Sequence, residues 1–140
     1  MDIKQKANTL AKKYGTRNPF EIINHLNIIV IRYPLKEIRG FYQYFRRNNI
    51  IYINENLTYQ EQLFVCAHEL GHMLLHKQSN ALFMNTKTQF ITSKFEIEAN
   101  KFAVELLIDE DTLKEYKEFT TEQLSRLLGY DRKLIELRMK

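Results

Sequence analysis

The residues that most restrict the fold are QEQLFVCAHELGHMLLHK, 60–77. They have helical spacing and a mostly apolar composition, with Leu63, Phe64, Val65, Ala67, Leu70, Met73, Leu74 and Leu75. So apolar a helix belongs in an interior, yet it carries His68, Glu69, His72 and His76. Polar groups buried without partners cost free energy, so something must satisfy them. Thr58 is placed to cap the helix, and Glu61 three residues later completes a capping box. Four residues of α-helix give ~400° of rotation and ~6 Å of rise, so His68 and His72 lie one above the other on one face. Two imidazoles so placed can share a metal ion at ~2.0 Å each, and Glu69, one position round, can reach toward a water beside it. His76 stands another ~6 Å along the axis. One ion cannot readily take all three from an unbroken helix, which leaves His76 a structural role or one supporting a ligand.

A catalytic zinc requires a third protein ligand and an open position. KFEIEANKF, 94–102, offers a candidate: Glu96, Ala99, Asn100 and Ala103 share one helical face at spacings of three and four. If that face packs on the first helix, Glu96 can close the ligand set. Asn100, one turn on, can then accept a hydrogen bond from a ligand imidazole. Glu98 is rotated from Glu96 by ~200° and is expected to face elsewhere.

HELGH at 68–72 followed by E-x-E-A-N-x-F-A-x-E-L-L from Glu96 resembles the ImmA/IrrE family of metallo-endopeptidases. It is also similar to the wider zincins, in which HExxH is followed by ExxxD. The resemblance extends through Gly40-Phe41-Tyr42 and Ile51-Tyr52-Ile53-Asn54 to the C-terminal helices, covering most of the chain. It implies zinc ligands at His68, His72 and Glu96, one ion per chain, with Glu69 as general base. Asn100 follows this family rather than the ExxxD pattern. Ile108-Asp109 departs from it, since the family most often has methionine-proline there. The resemblance further implies an α+β, zincin-like domain and limited cleavage of a helix-turn-helix transcriptional repressor, which would relieve repression.

The remaining sequence agrees with one domain over 1–140, with 118–140 as a helical pair that could form a subdomain. Amphipathic helices are expected at 2–14 and from Pro19, capped by Asn18. Strands are expected at 28–33, 40–45 and 50–54, the last two joined by Arg46-Arg47-Asn48-Asn49 into an antiparallel hairpin packed on the motif helix. Residues 78–93 read as a surface loop, followed by a helix from about Lys94 to Leu107 and short helices at 110–117, 121–129 and 131–139. The 44% hydrophobic and 27% charged composition is that of a globular protein. No run approaches the ~18 apolar residues of a membrane span, and the N-terminal residues lack the apolar core of a signal peptide. Lone Cys66 forms no internal disulfide and is expected to pack as a small hydrophobe, in keeping with a cytoplasmic setting.

Several roles stay open at this level. The 50–54 strand could be an edge to which a protein substrate adds through Tyr52, Ile53 and Asn54. Tyr42, Tyr52, His76 or one of the several other tyrosines could stabilise an oxyanion. Gly71 costs roughly 1 kcal/mol relative to alanine in a helix, and either admits another backbone or eases packing. The net charge of +4 permits nucleic-acid contact. TTEQLSRLLGYDRKLIELRMK resembles a helix-turn-helix, with Arg126, Arg132, Lys133 and Arg138 available for phosphate. The alternative function is therefore a DNA-binding or protein-binding regulatory module that keeps a metal site without proteolysis. A packing or partner-docking role for the terminal helices is favoured over DNA contact, because Leu124, Leu127, Leu128, Leu134, Ile135 and Leu137 are what any helical pair needs to pack.

Overall fold

The structure, a computed structural model, describes residues 2–76 and 89–140, with side chains from Lys94 onward in the second stretch. It is an α+β arrangement in which a small sheet covers one side of a helical layer. Helix α1 (Ile3–Tyr14) starts at Asp2, whose carboxylate accepts from Gln5 N–H, and stops at Gly15 in the left-handed conformation. Helix α2 (Pro19–His25) has Asn18 as its cap and proline in its first turn, as the sequence predicts.

Strand β1 (Ile29–Tyr33) is followed by the hairpin of β2 (Gly40–Phe45) and β3 (Asn48–Asn54). Only Arg46 and Arg47 form the turn, both at positive φ, a conformation that matches the strand twist of a two-residue hairpin. Asn48 and Asn49, expected in the turn, begin β3 instead.

The sheet order is β1-β3-β2. The hairpin is antiparallel as expected, but β1 joins β3 in parallel, so the sheet is mixed. This corrects the proposed substrate edge at Tyr52, Ile53 and Asn54. β3 is the central strand, and its backbone is paired on both sides. The 34–39 connection passes over the end of β3, where buried Asn54 holds it by donating to the carbonyls of Lys36 and Ile38 at 2.9 and 3.0 Å. Tyr42, Ile51 and Ile53 point into the core. Alternation places Ile29, Ile31 and Tyr33 on the opposite face, where all three are exposed.

Helix α3 (Tyr59–Leu75) carries both halves of the predicted capping box between Thr58 and Glu61. Its main partner is α4 (Gln89–Leu107), and β2, β3 and α2 also touch it. α4 begins five residues before the expected Lys94; the rest of the expected 78–93 loop lies outside the described residues. Val65, Cys66, Ala67 and Leu70 from α3 meet Phe102, Ala103 and Leu106 from α4 in the core, each large side chain contributing ~1.5–3 kcal/mol by burial. Gly71 faces the Phe102 side chain, and a Cβ there would lie 3.0 Å from Phe102 Cδ1. Its use is therefore side-chain packing and not a backbone approach. Cys66 is fully buried, and burial pushes its thiol pKa up, as an inert core position requires. Arg17 fastens the far end of α4 by donating to the carbonyls of Glu105 and Leu106 at 3.0 and 3.1 Å.

Beyond α4, Ile108 turns into a second small core, and Asp109 caps α5 (Glu110–Glu115) by accepting from Thr112 N–H at 2.8 Å. The departure at 108–109 thus supplies a buried side chain and a cap. Helices α6 (Thr121–Leu128) and α7 (Arg132–Met139) bring Leu124 and Ile135 to that core. The phosphate-binding expectation needs a correction at Arg138. That side chain is buried, donates to Ile108 O at 2.7 Å and pairs with Glu110 at 3.1 Å, because it ties α7 back to the body of the fold. Arg126 and Arg132 pair within their own helices with Glu122 and Glu136. Among the described residues no helix is long and apolar enough to cross a membrane.

Gly40 marks where the sheet crosses α3: a Cβ there would stand 2.5 Å from Val65 Cγ1 and 2.6 Å from Tyr52 O. A backbone atom cannot give way as a flexible side chain can. Gly40→Ala is expected to cost about 1–3 kcal/mol of stability, read as a lower urea midpoint with an unchanged slope.

Candidate metal centre

Two helices build the centre. α3 presents His68 and His72 from the buried side, with ring centroids 4.6 Å apart and planes nearly perpendicular. α4 presents Glu96 across from them, half-buried, one oxygen to each ring: Oε2 lies 3.0 Å from His68 Nε2 and Oε1 lies 2.7 Å from His72 Nε2. One donor atom from each of the three side chains can be chosen so that all lie within 4.8 Å of one another. Three ligands that each stand ~2.0–2.2 Å from one ion are necessarily only a few ångströms apart, so this donor set fits a divalent metal with small adjustments. Two imidazoles and a carboxylate are also the ligand types of known catalytic zinc sites.

The electrostatics follow from this proximity. Burial alone would raise the Glu96 pKa, but hydrogen bonds from His68 and His72 outweigh it and hold the carboxyl well below its usual range. Burial lowers the His68 pKa, while the Glu96 hydrogen bond and the charges of Glu69 and Glu96 more than reverse that, so it is raised. Glu69 is buried beside them with Oε2 3.8 Å from His68 Nε2. Its pKa is raised, chiefly by burial and further by Glu96, against the opposing pull of His68 and His72. A carboxylate biased toward proton uptake beside a metal-binding cluster suits a general base. It is separate from the three-residue ligand cluster.

His76, at the C-terminal end of α3, reaches no common point with the other histidines. Its Nδ1 lies 3.2 Å from His72 Nδ1, and its Nε2 lies 2.9 Å from Glu98 Oε1. Burial lowers its pKa, against the raising effect of Glu98. Glu98, expected to face elsewhere than Glu96, instead reaches the next histidine along α3, a partner that the helical wheel alone does not reveal. The signal available in the sequence was a third buried histidine on α3 needing an acceptor. Asn100 stands near enough to His68 to favour its protonated ring. No partner among the described residues meets hydrogen-bond geometry at His68 Nδ1, which is buried. Three of the oxyanion candidates have partners within the fold. Tyr42 donates to Asn49 at 2.9 Å, Tyr52 to Gln43 at 3.0 Å, and both His76 nitrogens are taken.

Comparison with known proteins places this geometry in a family. The family profile described as the IrrE N-terminal-like domain, a peptidase family, matches residues 23–140. The chain is 45% identical over 139 residues to Uncharacterized immunity region protein 2 of Bacillus phage phi105, covering 97% of this chain and 88% of that protein. It is 36% identical over 115 residues to Metallopeptidase ImmA of Bacillus subtilis (strain 168), covering 81% of this chain and 67% of that one. Among solved structures, a Mycobacterium tuberculosis transcriptional regulator superposes with a TM-score of 0.67 at 15% identity, covering 99% of this chain. That likeness shows the fold, and the chain spans 47% of the regulator's length. The chain belongs to the IrrE N-terminal-like family of metallopeptidases.

Proposed function

We propose that this chain is a zinc-dependent endopeptidase, with one zinc ion held by His68, His72 and Glu96 and with Glu69 as general base. The observation that carries the reading is the convergence of those three side chains, from two helices, on donor atoms within 4.8 Å of one another. A zinc ion bound there would supply a Lewis acid that acidifies water and polarises a scissile carbonyl. Glu69 would accept the proton of the attacking water and return it to the leaving amine. Burial of His68, His72 and Glu69 strengthens the electrostatic contacts among them, while half-exposed Glu96 leaves the centre open to water.

The substrate reading is limited cleavage of a helix-turn-helix transcriptional repressor in the cytoplasm. It is supported by the resemblance to ImmA/IrrE peptidases and by the immunity-region name of the phage relative. Residues 1–140 act as one peptidase unit, and the terminal helices serve it by packing.

Metal analysis of the purified protein, loaded with zinc and cleared of excess, is expected to find about one ion per chain, as a single catalytic site requires; folded protein that retains none would refute the reading. Glu69→Ala should keep its zinc and lose about 10²–10⁴-fold in cleavage rate, measured on helix-turn-helix repressors of the same genome by mass spectrometry of the fragments. Retained turnover would remove Glu69 from the chemistry. Glu96→Ala should lose zinc as well as activity, and unchanged affinity in a chelator competition would place the third ligand elsewhere.

A further inference from the structure

We infer that Glu98 is a positioning residue which, acting through His76, holds the His72 ring in the tautomer whose Nε2 lone pair is free for a metal ion. This rests on the metal-centre reading above and extends it to side chains that are not themselves ligands. The three groups form one line through the interior between α3 and α4: Glu98 Oε1 to His76 Nε2 at 2.9 Å, then His76 Nδ1 to His72 Nδ1 at 3.2 Å. His76 and His72 expose only 3% and 9% of their side chains, so water does not readily substitute for either contact.

The direction of the hydrogen bonds follows from the end of the line. An ionised carboxylate only accepts, so the hydrogen between Glu98 and His76 sits on His76 Nε2. A neutral imidazole with one nitrogen protonated offers the other as an acceptor. His76 Nδ1 is therefore the acceptor, and the hydrogen between the two Nδ1 atoms belongs to His72. His72 Nε2 faces Glu96 at 2.7 Å and shares a hydrogen with it; a metal ion would take the place of that hydrogen, and with Nδ1 keeping its own, Nε2 then presents the lone pair a ligand must have. Turning the line around would set a lone pair of His76 against the Glu98 carboxylate and leave His72 Nδ1 without hydrogen, so that a neutral His72 keeps its hydrogen on Nε2, where it blocks ligation. What Glu98 sets is the nitrogen that carries hydrogen, at constant ring charge.

Phe95 lies against His76 with ring centroids 4.2 Å apart and so fixes the plane in which the imidazole must point. The two histidines of the centre are thereby unequal. His72 is oriented from behind, whereas His68 Nδ1 has no hydrogen-bond partner among the described residues.

The test uses the full chain with ¹⁵N-labelled histidine. Long-range ¹⁵N–¹H correlation assigns each ring tautomer, and competition with a zinc chelator gives affinity for zinc alone. Wild type is expected to show His76 with hydrogen on Nε2 and a bare Nδ1. Glu98→Ala should mix the His76 tautomers and weaken zinc binding about 10–100-fold. Glu98→Gln should recover most of that loss, since its amide oxygen can accept the same hydrogen bond. A purely structural contribution of Glu98 predicts no tautomer change, and that result would overturn the inference, as would unchanged zinc affinity in a folded Glu98→Ala protein. If that variant does not fold, the wild-type spectrum alone decides: hydrogen on His76 Nδ1 refutes the line and hydrogen on Nε2 supports it. Wild type that binds no zinc would instead overturn the metal reading, while the His76 tautomer would still judge the direction of the line.

Discussion

Phe102 of α4 lies against Gly71 of α3 so closely that a methyl group on the glycine would crowd its ring. This contact sets how near the two helices approach, and the rest of the centre depends on it. Glu96 precedes Phe102 by six positions, under two turns of the same helix, so the depth to which the ring settles governs how far the carboxylate reaches toward His68 and His72. The packing of an apolar core and the assembly of a polar site are here one event. Arg17 at the far end of α4, and the small core around Ile108, hold the same helix from the other side.

The polar residues of α3 would destabilise a helix packed only against apolar neighbours. Partners supplied by α4 resolve this, since Glu96 serves two imidazoles and Glu98 serves a third. Carboxylates brought in this way make the interior between the helices attractive to a cation, and they keep the imidazoles hydrogen-bonded in its absence. Burial of Glu69 works in the opposite sense. It favours the protonated form, which makes this carboxylate a better acceptor than its exposed counterparts.

The sheet and the terminal helices have supporting parts. Paired on both flanks, β3 gives α3 a continuous apolar surface through Ile51 and Ile53, and Asn54 secures the connection that crosses its end. At the other end of the chain, Arg138 lies buried beside Glu105 and Glu110, its Nε donating to Ile108 O. A guanidinium committed in this way is an anchor for α7 and no part of a phosphate-binding surface.

The sequence by itself determined the local features: the α3 helix with its Thr58–Glu61 box, the His68 and His72 pair on one face, the hairpin, and the face of α4 that carries Glu96. Each of these follows from the 3.6-residue or two-residue period or from capping chemistry within a few positions. Only the tertiary structure decided that β1 enters beside β3 in parallel and makes it central, that α4 starts at Gln89, that Glu98 finds His76, and that Arg138 turns inward. Those outcomes depend on partners distant in the chain. The period of a helix or strand says which residues share a face but not what that face will meet.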